Sequence, residues 1–296
     1  MRMNKHPDER RGELYALLLS LLEGFFPIFS VIAVSAVGAI HSYFYTLLLA
    51  TPLLLFIQYK RALMAELFNK EALKDLLLTA FFITALFLCV FIGLRYSTPS
   101  NVAVIMIMQL FFSYLYFNIL GKEHMTPLHT LGAALMGMGA MIILMPQSYH
   151  FNMGDLIVLA GAAMAPVANR YQQRARKQVA SVSILTFRNL IALPLLFALA
   201  TFFEPFINPL SDLNALSCIA LNAVLVFVIS KILWVEALHH ISITKLSAMA
   251  AFIPLFTLIF SYLILGVLPG IKEMAGMVPI LLGAVFITRY TRVSVC

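Results

Sequence analysis

The first residue of this sequence that demands a chemical explanation is a carboxylate in the middle of an apolar run. Glu23 stands about nine residues from one end and eleven from the other of the stretch 14–34, roughly 14 to 16 Å from each at 1.5 Å per residue. On insertion scales an ionised side chain at that depth in a bilayer costs roughly 2.5–3.5 kcal/mol. It must therefore be protonated, paired or turned towards water. Two readings follow: a protonated Glu hydrogen-bonded between helices, or a proton carrier or counter-charge for a substrate. Just beyond it, Gly24 and Pro27 weaken the helix, because Pro lacks an amide donor and clashes one turn back. In the second half of the chain Pro166 and Asn169 occupy the corresponding places. Paired interruptions free carbonyls and helix ends at the midplane, so these positions are predicted to flank a substrate site, against the alternative of Pro kinks kept for packing.

Other polar residues lie within apolar runs. Arg188 is about seven residues into the stretch 182–202, a depth from which its stem reaches the inner surface or its head lines a cavity. Lys231 is only about four residues from the inner end of its run, where snorkelling is the natural reading. One turn on, Trp234 either covers a cavity mouth or joins the interfacial aromatic belt. Gln109 and Asn169 either orient a polar substrate or bond a neighbouring helix. Asn101, beside Pro99, reads as a helix cap, and His239 and His240 as residues of a solvated turn.

The elements that position these residues follow from composition. Of 296 residues, 62% are hydrophobic and 11% charged, against roughly a quarter charged in a soluble domain. A water-soluble globule is excluded. With about 20 apolar residues per bilayer-spanning helix, ten spans and short connections account for the length. Apolar windows and breaker residues predict helices near 14–34, 41–58, 75–94, 99–120, 127–145, 155–173, 182–202, 213–235, 243–266 and 274–290. The longest polar piece, 59–74, reads as a short amphipathic surface segment. The initial apolar run is too long for a signal-peptide core and is expected to stay as the first span.

The net charge of +7 is distributed in clusters between apolar runs. With both termini cytoplasmic, fifteen of the 20 Lys and Arg collect on the inner side, as the positive-inside rule requires. The basic excess is thus topological, and no nucleic-acid partner is implied. An inner-membrane, multi-pass location follows. Cys89, Cys218 and Cys296 form no disulfide or metal spacing, and no cofactor or metal site is expected.

A shift of about 142 residues pairs Gly12 with Gly154, Leu17 with Leu159 and Pro52 with Pro194; a shift of about 144 pairs Phe112 with Phe256, Gly132 with Gly276 and Gly139 with Gly283. The chain thus reads as two repeats, 12–146 and 154–290. Because each holds five spans, the second starts on the opposite side of the membrane. Such inverted repeats suit alternating access. The spacing of Gly132 from Gly139, and of Gly276 from Gly283, puts each pair on one helix face, so the fifth and tenth helices are expected to pack closely, within the chain or in a homodimer.

The segments Trp234-Val-Glu-Ala-Leu-His-His-Ile-Ser, Phe252-Ile-Pro-Leu-Phe and Glu123-His-Met-Thr-Pro-Leu-His-Thr-Leu-Gly132 resemble motifs of the drug/metabolite transporter superfamily, specifically its EamA-type ten-helix exporters and permeases. Val267 and Leu110 depart from them, standing where that pattern has Glu and Pro. The resemblance implies an all-α polytopic fold of ten transmembrane helices in two inverted five-helix repeats. It also implies a cavity lined by the first, third, fourth, sixth, eighth and ninth helices, and secondary transport of a small polar metabolite driven by a proton or solute gradient. Two cations against one acid among the candidate residues lean towards an amino-acid-like or anionic metabolite. The substrate-binding set is then Glu23, Gln109, Asn169, Arg188, Lys231 and Trp234, with helix breaks at Gly24, Pro27 and Pro166.

Two other classes compete. An intramembrane enzyme finds no support in a nucleophile elbow, zinc motif or P-loop; the missing P-loop also leaves a gradient, and not ATP, as the energy source. A scaffold or lipid-flippase subunit is the second: a scaffold gives no reason for a midplane carboxylate opposite a matched helix break, and solute flux against lipid scrambling in proteoliposomes separates this class from a transporter.

Overall fold

The computed structural model describes residues 7–119, 127–144, 152–266 and 270–289. All regular structure among them is helical: α1 (Pro7–Glu23), α2 (Phe26–Val37), α3 (Ala39–Lys60), α4 (Leu73–Leu94), α5 (Pro99–Met106), α6 (Met108–Ile119), α7 (Pro127–Leu144), α8 (Met153–Ala175), α9 (Ser181–Phe203), α10 (Leu213–Leu221), α11 (Lys231–His240), α12 (Ile243–Met249), α13 (Ile253–Leu265) and α14 (Ile271–Arg289). Six runs are long and apolar enough to cross a bilayer: Glu9–Val37, Ala39–Lys60, Leu73–Leu94, Pro99–Tyr116, Ser181–Phe203 and Leu213–His240. Shorter apolar helices occupy Thr130–Gly139, Ile253–Leu265 and Met274–Phe286. Glu123 and Val267 lie outside the described residues.

α8, expected as a plain span, falls short on apolarity for a physical reason. Its last two turns carry Asn169, Arg170, Gln172, Gln173 and Arg174, and Asn169 and Gln172 are buried.

Helix pairing respects the repeat. The counterparts α3 and α9 pack together, as do α7 and α14, while the pairing of α4 with α8 is mirrored by that of α11 with α1. Exchanging the two halves leaves this pattern unchanged. At α7 and α14 the contact is between backbones: a Cβ on Gly139 would lie 2.5 Å from the Gly276 carbonyl oxygen, and one on Gly283 2.4 Å from that of Gly132. The two Gly faces therefore meet within the chain, antiparallel.

α3 and α9 are also antiparallel, and each is capped by a carboxylate that follows the other. Glu204, just past the end of α9, accepts hydrogen bonds from the backbone N–H groups of Ala39 (2.8 Å), Ile40 (3.1 Å) and His41 (3.0 Å), and its Oε2 lies 3.1 Å from His41 Nδ1. Helix N-termini leave unpaired amides that favour negative charge. Gly38 turns the chain between α2 and α3 with φ 91°, and any Cβ there would meet Glu204 Oε2 at 2.6 Å. On the other end, Glu66 accepts from the Ala180 N–H at 2.7 Å and the Ser183 hydroxyl at 2.5 Å. The segment expected to be a surface strip thus sends one acid inward, from a 3₁₀ turn at Met64–Phe68.

Several helices are interrupted. α1 gives way to α2 at Gly24 and Phe25, and the Gly24 carbonyl accepts from the Thr257 hydroxyl at 3.1 Å. α5 and α6 break at Ile107, and α12 and α13 at Ala250–Phe252. These two breaks are repeat counterparts, 144 residues apart between Ile107 and Ala251. Between α10 and α11, Asn222–Ser230 winds as a π-helix, a wider coil that recurs at functional sites. The break expected at Pro166 is corrected: α8 runs unbroken through it. Asn101 is not the cap either; Thr98 accepts from the Asn101 N–H at 3.1 Å, and Asn101 Nδ2 donates to Asp155 at 3.1 Å.

Gly283→Ala is expected to lower the melting temperature of the solubilised protein, at an overpacking cost of about 1–3 kcal/mol. Gly137→Ala, whose added methyl meets nothing closer than Phe111 at 4.0 Å, should leave it unchanged or raise it. Glu204→Ala, which orphans buried amides, should cost about 1–3 kcal/mol in the same thermal assay.

Candidate functional site

One cavity of about 90 Å³ lies where the interrupted helices converge. Its walls come from α1, α2, α4, α5, α6, α8, α9, α11, the Ala250–Phe252 turn and α13. Relative to the expected lining, α9 is added, through Arg188. Glu23, Pro27, Gln109, Asn169, Arg188, Lys231 and Trp234 all line this cavity. Gly24 and Pro166 do not; Gly24 serves instead the close approach of α13, since a Cβ there would meet Phe256 at 2.6 Å.

The three charged residues are withdrawn from water, with exposures of 7% for Glu23, 2% for Arg188 and 8% for Lys231. Snorkelling is thereby excluded for both cations. Glu23 ends α1 at the Gly24 break, so its side chain leaves the helix end towards Lys231 Nζ, which donates to its Oε1. Ser230, the last residue of the π segment, donates to the same oxygen at 2.6 Å. Lys231 Nζ also stands 4.9 Å from the Phe87 ring centroid and 5.6 Å from that of Trp234, within the range of cation–π attraction. The ammonium is therefore enclosed by a carboxylate and two rings.

Trp234 is buried and donates from Nε1 to Asn169 Oδ1 at 3.0 Å, so it belongs to the cavity wall and not to an interfacial belt. This bond fixes the amide that was expected either to orient substrate or to bridge helices; it bridges helices while facing the cavity. Arg188 contrasts with its neighbours. Its Nε and Nη2 are buried without a hydrogen-bond partner among the described residues.

Beyond the cavity lies an aromatic cluster. Phe91 stacks on Tyr43 with centroids 5.0 Å apart, and Phe227 lies 5.0 Å from Phe87 and 6.0 Å from Phe26. On its far side is a second cavity of about 430 Å³, lined by Val34, Gly38, Leu94, Arg95 and Glu204 among others. α2 and α4 each contribute first to the central cavity and then, further along, to the second. The rings stand between them.

Sequence reasoning missed Gln172, which lines the cavity three residues after Asn169 and so on the same helix face; that spacing was a usable signal. It also missed Ser230, Phe26 and Phe87, and nothing in an apolar run distinguishes a cavity-facing Phe from a packed one. His239 and His240 close the last turn of α11 instead of forming a loop, with His240 against Tyr15.

The model of the EamA-like transporter family matches residues 10–145 and 152–289. A protein of Bacillus subtilis (strain 168) named "Uncharacterized transporter YyaM" is 23% identical over 213 residues, covering 69% of this chain and 68% of that protein. A crystal structure of a protein 16% identical superposes with a TM-score of 0.71 over 94% of this chain and 96% of its own, a likeness of fold alone. Two copies of one family pattern, spanning nearly the whole of an apolar helical chain, make this a multi-pass membrane transporter that belongs to the EamA-like transporter family.

Proposed function

We propose that this chain is a secondary transporter that carries a small polar metabolite through the central cavity by alternating access. In this reading ten spans form two inverted repeats, 12–146 and 154–290, in the cell's inner membrane with both termini cytoplasmic. The observation that carries it is the convergence of three buried charges and three amides, drawn from both repeats, on one small cavity at interrupted helices. Such a site is costly in lipid and is retained where polar cargo must pass. The aromatic cluster between the two cavities acts as a closed gate on the side opposite the start of α1. The exchangeable helix pairing supplies two states of similar energy, as rocking between inward and outward openings requires.

The Glu23–Lys231 pair is the coupling element. A proton arriving at Glu23 removes the charge that holds Lys231, so protonation and rearrangement of the cavity are linked. The family pattern and the absence of any nucleotide-binding loop in the sequence support gradient-driven movement.

Breaking a buried pair from one side costs about 3–5 kcal/mol, so Glu23→Gln alone is expected to destabilise the protein. Glu23→Gln combined with Lys231→Met should recover most of that stability, yet lose the pH dependence of solute flux in proteoliposomes. Full pH-dependent flux in the double variant would refute the coupling role. Lipid scrambling with no solute flux under any imposed gradient would refute transport itself.

A further inference from the structure

The charges that line the central cavity do not cancel. Glu23 carries one negative charge, and Lys231 and Arg188 carry one positive charge each, leaving an excess of one. Lys231 is already satisfied by Glu23, Phe87 and Trp234. Arg188 is not: it is 2% exposed, faces the cavity, and holds two buried guanidinium nitrogens without a hydrogen bond among the described residues. A buried ion left in this condition is expensive, and the missing partner is an anion.

We propose, building on the transport reading above, that the cavity takes a small solute with one net negative charge, a carboxylate on a compact apolar body, anchored by Arg188. A planar guanidinium matches a carboxylate through paired N–H donors. Much of the remaining wall is apolar, with Phe26, Ile83, Leu86 and Met106 among its residues, so the body of the solute is apolar too. At about 90 Å³ the space is smaller than the roughly 150 Å³ that accepts a benzene, which favours short carboxylates. A cationic solute would meet the excess positive charge. A zwitterion would need the Glu23 carboxylate, which is committed to Lys231. A phosphate dianion brings one charge too many.

The test uses the purified full-length protein in nanodiscs, with pyruvate, propionate, propionamide, propylamine and inorganic phosphate as probes. Pyruvate and propionate are expected to raise the melting temperature, and the other three to leave it in place. In Arg188→Met the carboxylates should bind about tenfold or more weakly, with Arg188→Lys intermediate. Because Arg188 Nε and Nη2 hold no hydrogen bond among the described residues that its loss would orphan, the ligand-free Arg188→Met protein should melt at or above the wild-type temperature. A response to propylamine, propionamide or phosphate equal to that for propionate overturns the proposal. So does the lack of any response to either carboxylate, undiminished carboxylate binding in Arg188→Met, or a large loss of stability in that variant without ligand. Flux assays separate the two readings: carboxylate binding without flux refutes transport and leaves the anion site standing, whereas flux of propylamine without carboxylate binding refutes the anion site and leaves transport standing.

Discussion

Lipid offers a charge no partner, so the contact between Glu23 and Lys231 governs how the centre of this molecule is built. To bring carboxylate and ammonium together, α1 must end at Glu23 and the helix leading to Lys231 must widen into a π coil that also delivers the Ser230 hydroxyl. Both departures from regular helix are local expenses. They are met by polar groups nearby: Thr257 takes the carbonyl at Gly24, and Asn222 donates to Ser30. The cavity is the space left by helices that cannot run straight past one another.

Around that centre the two repeats interlock through elements that are each other's counterparts. α7 and α14 touch backbone to backbone because glycines remove the side chains between them, which replaces the hydrophobic drive that helices lack in lipid with close van der Waals contact. α3 and α9 are joined differently, by carboxylates on amide-rich helix ends. Small-residue packing and end-capping therefore divide the work of holding the repeats together, and neither draws on the residues that face the central cavity.

Much of this was legible in the sequence. A carboxylate, two cations and two amides within apolar runs announce themselves by their cost, and all five meet at one cavity. The Gly spacing at 132, 139, 276 and 283 carried the contact of the fifth and tenth helices. What misled was the reading of Pro166 as a break, whereas Pro27 does open α2 just past the interruption at Gly24 and Phe25. Pro166 sacrifices one hydrogen bond within a helix that otherwise continues, and the true counterpart interruptions at Ile107 and Ala250–Phe252 have no Pro at the break itself. Trp234 and Lys231 misled by their nearness to a helix end, because depth along the chain does not reveal which way a side chain turns. Asn101 shows the same limit at a smaller scale: Thr98, three residues earlier, wins the cap, and Asn101 is drawn away by Asp155.

The two capping acids, Glu66 and Glu204, sit at opposite ends of the α3–α9 pair. Rods riveted head to tail in both directions cannot slide lengthwise, since a shift that tightened one rivet would shear the other. A pair so locked keeps one lengthwise register, and with it the depth at which α9 presents Arg188 to the central cavity.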